Sequence, residues 1–225
     1  MTEAAVTGCT VLIAGASSTA GQAVAAALTD AGARVIAVGS NTARLAPVPA
    51  TARYACDLTD PTAVTALAER VHADHGPIDG LIHLVGGWRG GGGLAGQSDD
   101  DWEFLHDHVM TTLRNTTRAF NADLLASGAG RLAIVSSVSV DAPGPGGANY
   151  ASVKAAAETW VRAVGRGFVL PAGSADTPTA QQTAAAVIFV VRSLDGLAGQ
   201  LAAGVTGLWN AAAASVNNTR VRLGD

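Results

Sequence analysis

Short apolar, β-branched runs alternate with alanine-rich stretches of helical period along nearly the whole chain, and this alternation restricts the fold more than any other feature. TVLIAG (residues 10–15) reads as a buried strand and GQAVAAALTDAG (21–32) as the helix after it, ended by Gly32. RVIAVG (34–39) and the weaker ARYACDL (52–58) follow as strands. Asp60 and Pro61 open a helix that runs to Gly76, since a first-turn N–H has no intrahelical partner for proline to remove. IDGLIHLVG (78–86) is a fourth strand, and Ser98 caps a helix whose first turn sets three carboxylates on the positive end of its dipole. RLAIVSS (131–137) is a fifth strand, and YASVKAAAETWVRAV (150–164) is the helix beyond the loop at 138–149. Strands apolar on both faces and separated by helices imply a mostly parallel sheet, doubly wound, with helices on both sides. No repeat, linker or change in composition divides the 225 residues, so residues 1–225 are read as a single domain.

Composition excludes several classes of function. The net charge of -4, with no strong cluster of arginine, argues against a nucleic-acid surface. Cys9 and Cys56 are too few for a disulfide scaffold and fit a reducing, cytoplasmic setting. MTEAAVTG lacks the basic and apolar regions of a signal peptide. No apolar run approaches the ~20 residues that cross a bilayer.

Within the first strand-to-helix turn, small residues let the backbone approach a phosphate, and the helix N-terminus offers oriented N–H groups. That turn reads AGASSTAG here, with Gly15 and Gly21 as its glycines. The turn and the α/β alternation together point to a Rossmann-type dinucleotide fold of about seven strands. A second feature concerns charge. Lys154 is the single lysine among fourteen cationic side chains, and it stands four residues after Tyr150, one of two tyrosines. On a helix that spacing places both on one face. A phenol can give a proton to, or take one from, an oxygen on which charge develops. With a reference pKa of ~10 the phenol needs a neighbouring ammonium, which is expected to lower that value. A compact ammonium also reaches hydroxyls that a planar guanidinium serves less well. Ser137, at the end of strand five, can donate to the same oxygen.

In these residues the chain resembles the short-chain dehydrogenase/reductase family, from Val11 to about Arg162 in register and more loosely to Leu223. AGASSTAG stands for the family's TGASSGIG, and Ser137, Tyr150 and Lys154 for its catalytic set. The resemblance implies an NAD(P)(H)-dependent oxidoreductase interconverting a carbonyl and an alcohol on a small molecule. It implies a dinucleotide held by Gly15, Ser17, Ser18, Thr19, Ala20 and Gly21, and by Asp57 and Leu58 beside the adenine. Val85, Gly86, Gly87, Tyr150 and Lys154 would hold the nicotinamide half. Ser40 and Asn41 follow strand two with no carboxylate to repel a 2′-phosphate, and Arg44 lies one turn on. NADP(H) is therefore favoured over NAD(H), although no cation occupies the family's usual clamp position. A homodimer or homotetramer is implied by resemblance alone.

The chain also departs from the family. Thr19 replaces the middle glycine of the turn, HLVG (83–86) replaces Asn-Asn-Ala-Gly, and Val109 fills the slot of a proton-relaying asparagine. Asn115 lies about two turns away from that slot. His106 and His108, two apart on a helix, point in different directions and are read as surface residues, with no metal expected. Trp88, in GWRGGGG, is read as either flexible loop or substrate wall. After residue 165 the sequence becomes irregular. AAAVIFVV is taken as strand six, GLAGQLAAGVTGLWNAAA as a helix and TRVRL as strand seven. In a rival register AAAVIFVVRSL is helical and PAGSADTP matches a family Pro-Gly segment. A dinucleotide-binding scaffold with little turnover is the alternative function.

Overall fold

The computed structural model describes residues 5–169 and 182–224. Its strands are β1 (Thr10–Ala14), β2 (Arg34–Gly39), β3 (Ala52–Ala55), β4 (Gly80–His83), β5 (Arg131–Ser137), β6 (Ala185–Val191) and β7 (Thr219–Arg222). They form one sheet in the order β3-β2-β1-β4-β5-β6-β7, with every adjacent pair parallel. The helices are α1 (Thr19–Asp30), α2 (Thr42–Leu45), α3 (Pro61–His75), α4 (Asp99–Leu105), α5 (Thr112–Ala126), α6 (Ala148–Gly167), α7 (Ala198–Gly207) and α8 (Ala213–Val216). The expected α/β, doubly wound architecture is the one observed.

Strand side chains alternate between two apolar layers, as a pleat requires. Leu12, Ile36, Leu81 and Leu132 pack with Val64 and Leu67 of α3, Phe120 of α5 and Val161 of α6. Val11, Ile13, Val35 and Ile82 pack on the other side with Val24 and Leu28 of α1 and Leu201 and Val205 of α7. Phe120 and Phe189 anchor the two layers with essentially no exposure. Truncating either to alanine would cost about 3–5 kcal/mol.

Capping residues stand where expected. Ser98 Oγ accepts from Asp101 N–H at 3.2 Å, and Asp60, ahead of Pro61, caps α3. Several elements differ from the sequence reading: α2 has no counterpart there, and the helix expected over 196–213 ends at Gly207 and is followed by a 3₁₀ turn and the short α8. β3 stops at Ala55, because Asp57 Oδ1 accepts from both the N–H (2.9 Å) and the hydroxyl (2.7 Å) of Thr59 and turns the chain. The helix from Ser98 does not run on regularly. Residues His106–Thr111 form a π-helical turn that joins α4 to α5.

In the tail, residues 185–191 are all buried and pair on both sides, with β5 and with β7. That overturns the rival helical register. β-branched density decided it, since these side chains pack well on a pleated surface. Much of the irregular segment, residues 170–181 with PAGSADTP among them, lies outside the described residues. No helix among the described residues is long and apolar enough to cross a membrane.

Candidate active site

The chain leaves β3 by α3 and returns on the far side of β1 as β4, so a crevice opens between the carboxyl ends of β1 and β4. Such a switch point is where open α/β sheets hold ligands. The turn after β1 fits tightly there. Gly15 has φ 83°, and a Cβ on it would sit 2.8 Å from the Leu84 carbonyl carbon; a Cβ on Gly21 would sit 2.5 Å from Gly15 O. Ser18 caps α1, its Oγ accepting from Gly21 N–H at 3.0 Å. The N–H groups of Thr19 and Ala20 find no acceptor among the described residues. Thr19 is the first residue of α1 and is exposed, so its side chain sits on the crevice wall where glycine would leave space.

Two cavities flank this turn and share Ser18, Leu84, Val85 and Gly86. The smaller, ≈ 280 Å³, lies beside β2 and β3 and is lined by Gly15, Ser17, Ser40, Asp57 and Leu58. Hydrogen bonds from Thr59 hold the Asp57 carboxyl below its ordinary range. Arg44, Thr59, His108 and Thr112 complete that wall. Asn41 does not reach it: its Oδ1 caps α2 by accepting from Arg44 N–H at 3.0 Å. Gly21 serves through packing alone.

The larger cavity, ≈ 550 Å³, is lined by Thr19, Ala20, Gly87, Ser137, Tyr150 and Lys154. Sequence reasoning missed two parts of its wall. Arg192–Gly196 and Ala198 follow β6 and come from the part of the tail with no clear motif. His83 ends β4 and is buried. Its Nε2 lies 3.1 Å from the Thr112 hydroxyl, which itself donates to His108 O at 2.8 Å, so Nε2 is the donor. Burial and the Lys154 charge push the His83 imidazole down to about 3, which keeps it neutral.

Ser137, Tyr150 and Lys154 thus come together as the sequence suggested, but their electrostatics need one correction. The Tyr150 phenol is raised, not lowered, relative to its ordinary value. Burial disfavours the phenolate, and the neighbouring Ser137 hydroxyl only opposes that. Lys154 Nζ is turned to the Val135 carbonyl at 2.9 Å and lies 5.7 Å from the Tyr150 ring centre. Burial brings this ammonium down to about 8, against the charge of Glu158. The Ser137 hydroxyl donates to Ser139 Oγ at 3.1 Å. Val109, in the π-helical turn, is buried against Gly86, close to Lys154.

The residues left unplaced by the sequence have local roles. Asn115 is buried and donates to the carbonyls of Leu58 (3.0 Å) and Thr59 (3.1 Å), pinning the loop that carries Asp57. His106 stacks on Trp102, and His108 stacks on Phe104 and donates Nδ1 to Phe104 O at 2.9 Å.

A glycine turn at the switch point, with a serine, a tyrosine and a lysine gathered beside it, defines an α/β protein of the nucleotide-binding class. The model of the short chain dehydrogenase family matches residues 9–168, and the chain belongs to that family. It is 29% identical over 161 residues to the 2,3-dihydro-2,3-dihydroxybenzoate dehydrogenase of Bacillus subtilis (strain 168), across 68% of this chain and 61% of that one. With the oxidoreductase UcpA of Escherichia coli (strain K12) it shares 33% over 158 residues, 67% of this chain and 60% of that one. The chain therefore spans about three-fifths of the length of these relatives. A metagenomic short-chain oxidoreductase solved in complex with NADP has the same fold, with a TM-score of 0.82 over 98% of this chain and 100% of that one at 24% identity.

Proposed function

We propose that the chain is an NAD(P)(H)-dependent oxidoreductase that interconverts a carbonyl and an alcohol on a small molecule. The observation that carries this is the convergence of Ser137, Tyr150 and Lys154 on one cavity that is continuous with the glycine turn. The residues fit a dinucleotide. The free N–H groups of Thr19 and Ala20 face a space shaped by Gly15, and Lys154 keeps two of its three donors beyond the one on Val135 O. A bound nicotinamide supplies the hydride. Tyr150 gives or takes the proton at the substrate oxygen, and Ser137 donates to that oxygen as charge builds. Lys154 holds the sugar hydroxyls and, on leaving Val135 O for them, approaches the phenol and favours its ionised form.

NADP(H) is the preferred cofactor in this reading. Arg44 stands with Ser17 and Ser40 on the adenine-side wall, where no acidic residue follows β2 to repel a 2′-phosphate. The relative solved with NADP supports the same preference. Self-association is assigned to the outer faces of α5 and α6, where Thr117, Arg118, Asn121 and Trp160 line a shallow depression.

The test is oxidation of NADPH across a panel of carbonyl compounds, with Tyr150→Phe beside the wild type. Turnover by the wild type, lost in the variant while NADPH still raises its melting temperature, is the expected result. Binding without turnover of any carbonyl or alcohol would instead leave a dinucleotide-binding scaffold.

A further inference from the structure

The stretch from Gly86 to Ser98 joins β4 to α4 along the rim of the larger cavity and gives Gly87 and Trp88 to its wall. At its centre Gly90, Gly91, Gly92 and Gly93 all have positive φ, at 156°, 127°, 65° and 66°. Backbone of this kind has little stiffness of its own, so something must fasten it. Much of the fastening comes from one side chain. Gln97 Nε2 donates to the carbonyls of Gly91 (3.1 Å) and Gly93 (3.2 Å) within the loop, and of Gly146 (3.1 Å) on the turn leading into α6. Two hydrogens are shared among three acceptors. On the other side of the amide, Oε1 accepts the backbone N–H of Asn149 at 3.1 Å.

That last bond sits at a sensitive place. α6 carries Tyr150 in its first turn, yet Gly147 at its N-cap offers no side-chain acceptor. An uncapped helix end leaves orphan N–H groups and frays. Gln97 supplies the missing acceptor from another segment, one residue before the phenol. Asn149 Nδ2 returns a bond to Ser98 O at 3.1 Å, and Gly91 N–H donates to Gly146 O at 2.7 Å, so loop and helix start are laced together.

We propose that Gln97 is a positioning residue of this active site: Oε1 caps the helix that presents Tyr150, and Nε2 holds the glycine loop so that Trp88 walls the substrate side of the cavity. This rests on the carbonyl–alcohol reading above. Trp88 on that wall is 65% exposed, so substrates with an apolar substituent feel the clamp more than the smallest carbonyls do.

The two halves of the amide can be separated. Gln97→Glu keeps an acceptor for Asn149 N–H but loses the donors to the loop; Gln97→Leu loses both. For an apolar carbonyl substrate, Gln97→Glu is expected to raise KM about fivefold with kcat held within about twofold, the loss of about one hydrogen bond's worth of positioning. Gln97→Leu is expected to lower kcat about fivefold as well, the size of a lost cap. A readout independent of turnover is the rate of tryptic cleavage after Arg89 in the protein without cofactor. Arg89 is held over the Phe104 ring at 3.6 Å and near Asp101 at 3.6 Å. Faster cleavage in both variants supports the clamp. Wild-type kinetics and wild-type cleavage in Gln97→Leu would overturn it, as would equal loss of kcat in the two variants with cleavage unchanged. Should Gln97→Leu fail to fold, Gln97→Glu and its cleavage rate decide the matter alone. A wild type inert toward every carbonyl would overturn the underlying reading, and a faster cleavage in the variants would still tell the two failures apart.

Discussion

β5 meets a buried cation near each end, and the two are held in opposite ways. At its start, the Arg131 guanidinium has no carboxylate partner among the described residues. Its Nε donates to Leu208 O, Nη1 to Gly130 O and Thr183 O, and Nη2 to Ala211 O, each at 2.9 Å. Near its end, the Lys154 ammonium has a single bond among the described residues, to Val135 O. Both side chains are nearly hidden, at 4% and 7% exposure. The planar fork is almost saturated by carbonyls from four places and so ties the lower edge of the sheet together. The ammonium keeps donors unspent toward a cavity. A buried charge whose donors are used up is structural; one left partly unserved is poised for a ligand, because burial makes an unmade hydrogen bond costly.

Substitution at the two ends should therefore separate rate from stability. Lys154→Arg is expected to lower kcat by about 10²–10³-fold, the scale of a lost electrostatic contact in a transition state, with little change in melting temperature. Steady-state kinetics with NADPH beside a thermal melt checks this. A Lys154→Arg protein with wild-type kcat would break the contrast, since any cation would then serve there. At the other end, Arg131→Met takes the guanidinium donors from four carbonyls, of which Gly130 O still accepts Ala185 N–H, and is expected to cost about 2–3 kcal/mol, with activity per folded molecule unchanged. Urea titration of the two proteins would show it. If Arg131→Met instead lost turnover at unchanged stability, the division between the two ends would be wrong.

How far this contrast could be read from the sequence differs at each end. The gathering of Ser137, Tyr150 and Lys154 at one cavity was legible because the proposed chemistry needs particular residue types at particular spacings, and the α/β alternation placed them at the same end of the sheet. The direction of the Tyr150 shift was not legible, since burial depends on packing from distant segments. Arg131 gave no sign at all, because its acceptors at residues 183, 208 and 211 are brought in only by the fold. Asn41 was misplaced for a local reason. A short polar side chain after a strand suits a ligand or a helix cap equally well, and here it caps α2. Gln97 was missed as a working residue because it sits in no pattern, and His83 because it was read only as a departure within HLVG; their roles come from partners dozens of residues away. The order of the strands and of the longer helices was read correctly, since periodicity is local, whereas the short α2 and the break after Gly207 were not.

The smallest expected effect sharpens the contrast through pH. His83 stands near Lys154 and is held at about 3, below its ordinary 6.5, by burial first and by the Lys154 charge second. A base with a depressed value in the fold takes up protons mainly on unfolding, so its contribution is fully present above about 6.5 and is lost as pH falls toward about 3. Between about pH 7 and 5.5 the loss should be about 1 kcal/mol, since each pH unit below the ordinary value is worth at most ~1.4 kcal/mol. His83→Asn, which keeps a polar side chain that does not titrate, is expected to flatten this part of the stability profile. Arg131→Met, although less stable at every pH, should keep the slope of the wild type, because the guanidinium does not titrate there. Urea midpoints at the two pH values for the three proteins decide it. A slope unchanged by His83→Asn would mean that the acid sensitivity does not arise beside Lys154, and that the cavity end of β5 carries less electrostatic tension than its single ammonium bond implies.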